Sequence, residues 1–178
     1  MIFTSDWHSY TIPIWETVVL PRLKDGPRRM LELGSYEGRS AAWALDHVVA
    51  GGELVCVDSW KVSDIESRFD QNVGSRVTKI KGHITSVLVG MAAAGERFDV
   101  IYVDGDHDGA AVLENAVLAW MLLAPGGILV FDDYRYVNPQ QWAVGRIDPH
   151  FGIDAFLTCY CLKMQILHRA AQVIVVKV

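Results

Sequence analysis

The stretch from Leu31 to Ser40, with the sequence LELGSYEGRS, constrains the fold of this chain more than any other. An apolar run leads into it, as expected of a short buried strand. After it, apolar side chains recur at the spacing of one helix face, at Ala41, Leu45, Val48 and Val49. The stretch therefore predicts a strand, a tight turn and a helix. Gly34 and Gly38 give the turn its conformational freedom, and the N–H groups that begin the helix can hold an anion or a polar ligand.

Strand-like and helix-like segments alternate through the rest of the chain. Four more apolar runs predict strands, at Glu53–Asp58, Val77–Gly82, Phe98–Asp104 and Ile128–Phe131. Helical patterns cover residues 64–73, 84–95, 110–123 and 153–163. Two closing runs, Met164–His168 and Gln172–Lys177, have little between them, which favours antiparallel pairing. We therefore predict an α/β fold with a single Rossmann-like, doubly wound sheet, mostly parallel with an antiparallel C-terminal strand, and helices on both faces.

Composition and charge limit the classes of protein to which the chain can belong. Its 178 residues, 51% hydrophobic and 21% charged, suit one soluble domain, with a helical cover over residues 1–27 and a core over 28–178. The net charge of −5 predicts no nucleic-acid partner. No run is long enough to span a membrane, no signal peptide is recognisable, and the three cysteines lack the spacing of a zinc site. We expect a cytoplasmic protein with reduced thiols and no membrane association.

Two regions outside the predicted core are candidates to close a binding site. Near the N-terminus, the aromatic residues Trp7, Tyr10 and Trp15 could wall a pocket. The segment Tyr136–His150 has no clear periodicity and follows the fifth strand directly. We predict that this segment is a mobile lid.

Acidic residues follow three of the five parallel strands at the point where each strand ends. They are Asp58, Asp104, Asp132 and Asp133. In open α/β sheets, ligands bind outside the carboxyl ends of the strands, near the switch in strand order. One acid there means little, but acids on three strands indicate a site.

A dinucleotide site is the first alternative for the ligand. Asp58 lies about two dozen residues beyond Gly34, close to the roughly 20 residues that separate the two features of a Rossmann site. However, the dinucleotide pattern G-x-G-x-x-G requires a glycine where this chain has Tyr36, whose Cβ would crowd a pyrophosphate. A Walker loop is absent as well. The ligand should therefore be a nucleoside without a pyrophosphate.

Four stretches, in order, are similar to the motifs of class I S-adenosylmethionine-dependent methyltransferases. They are Leu31–Ser40, Val57–Trp60, Tyr102–His107 and Leu123–Tyr134. Together they most resemble the small-molecule O-methyltransferases that include macrolide-sugar and aminocoumarin-sugar enzymes. A cephalosporin-hydroxylase-like group shares the motifs, so the resemblance specifies the cofactor better than the reaction.

The resemblance implies a cofactor site along the carboxyl edge of the sheet. Glu32 and the backbone of the glycine turn would hold the methionine portion, Asp58 would accept both ribose hydroxyls, and Trp60 would flank the ribose or adenine. After the third strand, where the family often has an acid at the adenine edge, this chain has Gly82 and His83. The full candidate set is Glu32, Gly34, Ser35, Tyr36, Gly38, Ser40, Asp58, Ser59, Trp60, His83 and Asp104.

The acids after the fourth and fifth strands are candidate metal ligands. If these strands are neighbours about 4.8 Å apart, Asp104, Asp132 and Asp133 cannot all stay ionised without a proton or a cation. Mg²⁺ is the natural partner of such oxygen ligands, and the related sugar O-methyltransferases place a metal on acids at these motif positions. The catalytic base is then Asp106 or His107. Asp106, which matches the family's Asp-x-Asp pattern, is preferred slightly, while His107 titrates nearer neutral pH.

These observations favour methyl transfer to a hydroxyl group of a small-molecule acceptor. Two alternatives stay open: a subunit that binds S-adenosylmethionine without transferring its methyl group, and an enzyme that breaks down the cofactor. The acid cluster favours transfer, because a binding module needs only Asp58 and the glycine turn. Little chain lies beyond the core to shape an acceptor pocket, and a homodimer is one way to complete it.

Overall fold

Seven strands form one sheet in the computed structural model, which describes all residues from Met1 to Val178. The strands are β1 (Arg29–Leu33), β2 (Glu53–Asp58), β3 (Thr78–Lys81), β4 (Phe98–Val103), β5 (Leu123–Phe131), β6 (Met164–Arg169) and β7 (Val173–Lys177). Their order is β3-β2-β1-β4-β5-β7-β6. Strands β1 to β5 pair in parallel, whereas β7 runs antiparallel to both β5 and β6. The strand order reverses between β1 and β4, so the switch point lies where these two strands end.

Helices cover both faces of the sheet. They are α1 (Ile12–Ile14), α2 (Arg39–His47), α3 (Ser63–Asn72), α4 (Ile84–Ala93), α5 (Gly109–Leu122), α6 (Pro139–Trp142) and α7 (Pro149–Tyr160). Successive side chains of a strand point to opposite faces, so Leu31 and Leu33 join a core with α5 and α7, while Met30 joins a second core with α2. The predicted fold class is confirmed. None of the helices is both long and apolar enough to cross a membrane.

The N-terminal helical segment is irregular rather than a single α-helix. It consists of a 3₁₀ turn (Ser9–Thr11), α1, a π-helical turn (Trp15–Val19) and a second 3₁₀ turn (Leu20–Arg22). Trp15 and Val19 are buried in the core that includes α2. Burial of these two side chains holds the segment on the domain although its backbone is not uniform.

The region after β5 is more ordered than its sequence suggested. It contains α6, and α7 begins at Pro149 and ends at Tyr160, earlier at both ends than predicted. Proline suits the first turn of a helix because its φ is already helical and its missing N–H has no partner there. The start of β5 at Leu123 also precedes the predicted start at Ile128, because Leu123 pairs with Phe98 of β4.

Candidate active site

The glycine turn draws the ends of three strands together. Gly34 has φ +91°, and its N–H donates to the carbonyl of Val57 at 2.8 Å. A Cβ at Gly34 would lie 2.2 Å from the carbonyl oxygen of Asp104, which rules out any larger residue without a backbone shift. Gly38, with φ +80°, precedes the first residue of α2. The turn therefore depends on glycine for a steric reason as well as a conformational one.

Asp58 is fixed by two backbone donors. Its Oδ2 accepts from the N–H of Tyr36 at 2.9 Å, and its Oδ1 accepts from the N–H of Trp60 at 2.9 Å. The Ser59 hydroxyl lies 3.5 Å from the same Oδ1. In turn, the Trp60 indole N–H donates to the Tyr36 carbonyl at 2.9 Å. These bonds tie the end of β2 to the glycine turn and set the orientation of the carboxylate.

Trp60 lies inside the domain rather than along an open groove. Its side chain is buried, and its ring packs on Phe69 with 4.6 Å between ring centroids. Through its backbone and indole N–H groups, Trp60 links Asp58 to the carbonyl of Tyr36. A contact of Trp60 with ribose or adenine stays a prediction.

Glu32 carries a buried carboxyl group that the protein only partly satisfies. Its Oε2 lies 3.5 Å from the Cys56 thiol, whereas Oε1 has no hydrogen-bond partner. The hydroxyl of buried Ser35 also lacks a partner. Burial raises the pKa of Glu32 above its usual range. The Ser35 and Ser40 hydroxyls lie close enough to the carboxyl group to oppose this shift in pKa, so Glu32, the two serines and Cys56 form one buried polar cluster beside the glycine turn.

Acidic side chains interact strongly where β4 and β5 end. Burial, followed by the charges of Asp132, Asp133 and Glu32, raises the pKa of Asp104 well above its usual range. Burial also raises the pKa of Asp132. Asp132 is held by the Tyr102 hydroxyl, by the Gln172 amide at 3.0 Å and by the N–H of Asp133 at 2.8 Å.

The two candidate bases have different partners. His107 Nε2 lies 2.8 Å from Asp133 Oδ2, and this hydrogen bond raises the pKa of His107. Asp106 is ion-paired with Arg146 and also accepts from the N–H of Asp108 at 2.9 Å. His107 is thus joined to the acid cluster, whereas Asp106 is joined to the segment after β5.

A small, partly open cavity lies beside the glycine turn. Its lining comprises Ser5, Trp7, His8, Gly34, Ser35, Tyr36, Glu37, Arg39, Ser40 and Asp104. Five of these residues, from the turn, α2 and the end of β4, belong to the candidate cofactor set. Asp58, Ser59, Trp60 and Gly38 lie next to the turn but do not line this cavity, and His83 is exposed at the start of α4.

The N-terminal residues on the cavity wall were only partly foreseen. Trp7 packs on Tyr36 with 5.0 Å between ring centroids, as the pocket-wall hypothesis requires. Trp15 is instead a core residue, and Tyr10 is largely exposed. Ser5 and His8 carry no sequence pattern that distinguishes them from ordinary surface residues.

Glu37 holds the N-terminal segment of the chain over the glycine turn. Its carboxylate accepts from both the N–H and the hydroxyl of Thr4, at 2.7 and 2.6 Å, and from Arg68 at 3.0 Å. Arg39 adds a bond to the carbonyl of Ser5 at 3.0 Å. These contacts place residues 4–8 against the start of α2.

The metal set predicted from the sequence is not assembled. No three His, Cys, Asp or Glu side chains of this chain are grouped so that they could hold a metal ion. Asp132 already accepts hydrogen bonds at both oxygens, and Asp133 bonds His107. Asp104, Asp132 and Asp133 are near enough to affect one another electrostatically, but as arranged here they do not fit a metal ion.

Comparison with known proteins places this geometry in a family. A family model described as "Methyltransferase domain" matches residues 31–134, more than half of the chain. An uncharacterised protein, R132 of Acanthamoeba polyphaga mimivirus, is 25% identical over 113 residues. That match covers 59% of this chain and about half, 51%, of the relative.

Solved structures show the same fold. An O-methyltransferase from Bacillus cereus, in complex with SAH (S-adenosylhomocysteine), has a TM-score of 0.73 at 19% identity, over 99% of this chain and 84% of that one. MycE methyltransferase from the mycinamycin biosynthetic pathway, in complex with Mg, SAH and mycinamycin VI, has a TM-score of 0.67 at 16% identity. That alignment covers 97% of this chain and 50% of MycE.

Proposed function

Because this chain belongs to the methyltransferase domain family, we propose that it transfers the methyl group of S-adenosylmethionine to a hydroxyl group of a small molecule. One observation carries the proposal: the glycine turn, Asp58 and the buried acids meet at the carboxyl edge of the sheet, at the switch in strand order. The Bacillus cereus structure supports the cofactor and the hydroxyl acceptor, since it is an O-methyltransferase in complex with SAH.

Asp58 is suited to the ribose of the cofactor. A carboxylate offers about four acceptor positions, and the N–H groups of Tyr36 and Trp60 occupy one on each oxygen. The remaining positions can accept from the two vicinal ribose hydroxyls. Because the backbone already fixes the carboxylate, little side-chain entropy is lost when the ribose binds.

Glu32 and Ser35 are suited to the methionine portion. The unpaired Oε1 of Glu32 accepts a donor, and the Ser35 hydroxyl can donate or accept. An ammonium group would satisfy the carboxyl group at a site that is otherwise costly to bury. The same charge would favour the ionised form of Glu32 and oppose the effect of its burial.

Methyl transfer requires an acceptor oxygen in line with the sulfonium and a place for the hydroxyl proton. The oxygen forms a bond to the methyl carbon, the carbon–sulfur bond breaks, and S-adenosylhomocysteine leaves as a neutral thioether. The protein's part is to hold the two reactants in line and to accept the proton. Asp58 and the glycine turn would hold the cofactor, and groups that follow β4 and β5 would accept the proton.

We assign the base to His107. A neutral His107 donates from Nε2 to Asp133, which leaves the Nδ1 lone pair free to accept a proton, and the carboxylate stabilises the imidazolium that forms. Asp106 is the weaker candidate, because its Oδ1 is already engaged by Arg146 and by the N–H of Asp108. This reverses the slight preference for Asp106 that its motif position suggested.

No step is assigned to a metal ion, because the three acids do not converge on a common point. Metal assistance, expected from the sequence, is supported by the presence of Mg in the MycE complex, whereas the arrangement of the acids in this chain speaks against it. Chelation tests it directly. If Mg²⁺ is required, EDTA abolishes turnover and added Mg²⁺ restores it; full activity in EDTA removes the metal from the mechanism.

The proposed function is tested with methyl-labelled S-adenosylmethionine and small-molecule extracts as the source of acceptor. Label should move to a small molecule in the presence of the wild-type protein and not with His107→Ala. Consumption of the cofactor without a labelled product would instead indicate cofactor breakdown. Binding of the cofactor without any turnover would indicate a non-catalytic subunit.

A further inference from the structure

Two aromatic rings form the apolar part of the wall around the cavity beside the glycine turn. Of the ten residues that line this cavity, only Trp7 and Tyr36 are hydrophobic. Their rings pack with 5.0 Å between centroids and are tilted by 41° to each other. We call these two residues the aromatic corner. Trp7 is 63% exposed, so most of its ring surface is open to a ligand.

The backbone of Tyr36 is held in a conformation that is uncommon for its residue type. Its φ is +46°, in the left-handed region that favours glycine. The N–H of Tyr36 donates to Asp58 at 2.9 Å, and its carbonyl accepts from the Trp60 indole at 2.9 Å. Residues in such conformations persist only where the surrounding contacts fix them, and they are concentrated at ligand sites. The ring of Tyr36 is therefore set in the cavity wall by the same bonds that orient Asp58.

Trp7 is fixed from both sides along the chain. Before it, the N–H and the hydroxyl of Thr4 donate to the Glu37 carboxylate at 2.7 and 2.6 Å. After it, the N–H of Ser9 donates to the Asp6 carboxylate at 2.9 Å, which closes a turn around Trp7. Because these bonds already order the backbone, little conformational entropy is lost when a ligand contacts the ring.

The position of the cavity indicates which part of the cofactor meets the aromatic corner. Asp58, which suits the ribose, follows β2 and does not line the cavity, so the adenosine portion belongs on that side of the sheet. The cavity instead reaches from Ser35, which suits the methionine portion, to Asp104 after β4. The sulfonium joins the ribose to the methionine portion. It therefore falls beside Tyr36, whose N–H bonds Asp58.

A sulfonium requires a different kind of contact from an ammonium. It is a cation without an N–H or O–H group, so it donates no conventional hydrogen bond. The face of an indole or phenol ring attracts such a cation through its quadrupole. Arg39 is the one cationic side chain on the cavity wall, and its Nη1 lies 3.4 Å from the Asp6 carboxylate, which compensates its charge. Transfer of the methyl group removes the charge from sulfur and with it this attraction.

We propose that the aromatic corner binds the sulfonium of S-adenosylmethionine through the ring of Trp7, so that the segment before α1 recognises the charge of the cofactor. This inference rests on the proposed function. The contact is made with S-adenosylmethionine and is lost with S-adenosylhomocysteine, which is neutral at sulfur. Trp7 is thus a specificity-determining residue that separates cofactor from product.

Calorimetry with S-adenosylmethionine and S-adenosylhomocysteine, in the absence of an acceptor, tests the proposal. Trp7→Leu keeps an apolar side chain but removes the ring. It should weaken S-adenosylmethionine binding about fivefold, as for one lost cation–π contact, and S-adenosylhomocysteine binding less than about twofold. Trp7→Phe, which keeps a ring, should recover part of the loss.

Phe151→Leu is the matched control, because it also removes a partly exposed ring, 46% exposed, but one that does not line the cavity. It should leave both affinities unchanged. If Trp7→Leu lowers both affinities equally, or lowers neither, recognition of the charge by Trp7 is overturned and the proposed function is left intact. If the wild type binds neither ligand, the proposed function fails and this inference fails with it.

Ring-fluorinated tryptophan, incorporated into the otherwise unchanged chain, covers the case in which Trp7→Leu does not fold. Fluorine withdraws electron density from the ring face and so weakens its attraction for a cation, with little change in shape. The affinity for S-adenosylmethionine should fall with each added fluorine atom relative to that for S-adenosylhomocysteine. The other tryptophans do not line the cavity, so an effect through them should change both affinities alike. A ratio of affinities that fluorination leaves constant would contradict the contact.

Discussion

At the scale of single residues, Asp58 connects the sequence pattern to the chemistry most directly. We predict that Asp58→Ala weakens S-adenosylhomocysteine binding by at least about 1.5 kcal/mol, as for a lost charge-assisted hydrogen bond. Calorimetry measures this loss. Asp46→Ala is the control, because Asp46 is exposed near the C-terminal end of α2 and should not affect binding. An unchanged affinity in Asp58→Ala would show that the carboxylate does not contact the ribose.

His107 and Asp133 make a prediction about pH. The hydrogen bond that His107 donates to Asp133 raises the pKa of His107 above its usual range, so the ion pair stabilises the folded protein at low pH and this stabilisation is lost as pH rises through the raised pKa. In Asp133→Asn, the pKa of His107 should fall. Titration of its ring protons by NMR measures the change, with exposed His83 as an internal reference. A His107 pKa that is the same in both proteins would show that the Asp133 carboxylate does not act on His107.

The pairing of His107 with Asp133 could not have been predicted from the sequence, whereas Asp58 could. Asp58 follows a strand whose apolar run fixes its place at the sheet edge. The His107 contact depends on Asp133, which has φ +57° and so turns its side chain in a direction that no periodicity encodes. Buried polar atoms without a hydrogen-bond partner, such as Glu32 Oε1 and His8 Nε2, can likewise be recognised only when the positions of all neighbouring atoms are known.

At the scale of elements, the glycine turn should tolerate no side chain at Gly34. In Gly34→Ala, the new Cβ would lie 2.2 Å from the Asp104 carbonyl, and a φ of +91° is itself strained for alanine. We expect a large drop in thermal stability or failure to fold. Gly90→Ala is the matched control within α4: nothing lies within 4 Å of its Cβ, so it should stabilise the protein by about 0.4–1 kcal/mol. Thermal melts of both variants decide; a Gly34→Ala protein as stable as the wild type would contradict this geometry.

The segment Tyr136–His150 was predicted as a lid, and the structure shows how it is held. Asp148 accepts from the N–H of Asn138 at 3.0 Å and from the indole of Trp142 at 3.3 Å, and Arg146 pairs with Asp106. We expect Arg146→Ala to increase proteolytic cutting within the segment, and bound cofactor with acceptor to reduce cutting in the wild type. If neither the Arg146→Ala substitution nor the addition of cofactor and acceptor alters the rate of cutting, the segment is not a lid.

Elements were easier to predict than their ends. The alternation of apolar runs and helical patterns gave the parallel sheet and the antiparallel closing strands. It did not give the irregular backbone of residues 9–22, because the apolar spacing of Trp15 and Val19 is satisfied by a π-helical turn as well as by an α-helix. Long-range contacts, not local propensity, decide between such backbones.

At the scale of the whole molecule, the buried acids of the proposed binding site lower the stability of the folded protein. A carboxyl group whose pKa is raised on folding costs stability at high pH, and this cost disappears as pH falls toward its usual range. Burial and the neighbouring acids raise the pKa of Asp104 in this way. Asp104→Asn should therefore raise the melting temperature at pH 7 by about 2 °C or more, an advantage that shrinks on acidification. Asp25→Asn, at an exposed site, should show no such gain. A melting temperature lowered at pH 7 would show that the charge of Asp104 is compensated.

The whole molecule should bind S-adenosylmethionine, and not a dinucleotide, in the pocket at the carboxyl edge of the sheet. Calorimetric titration of the wild-type protein with S-adenosylhomocysteine, beside a titration with NAD, tests this most directly. We predict binding of S-adenosylhomocysteine with one site per chain and no measurable binding of NAD, because the side chain of Tyr36 stands where a pyrophosphate requires a glycine. Tight binding of NAD without binding of S-adenosylhomocysteine would contradict the account.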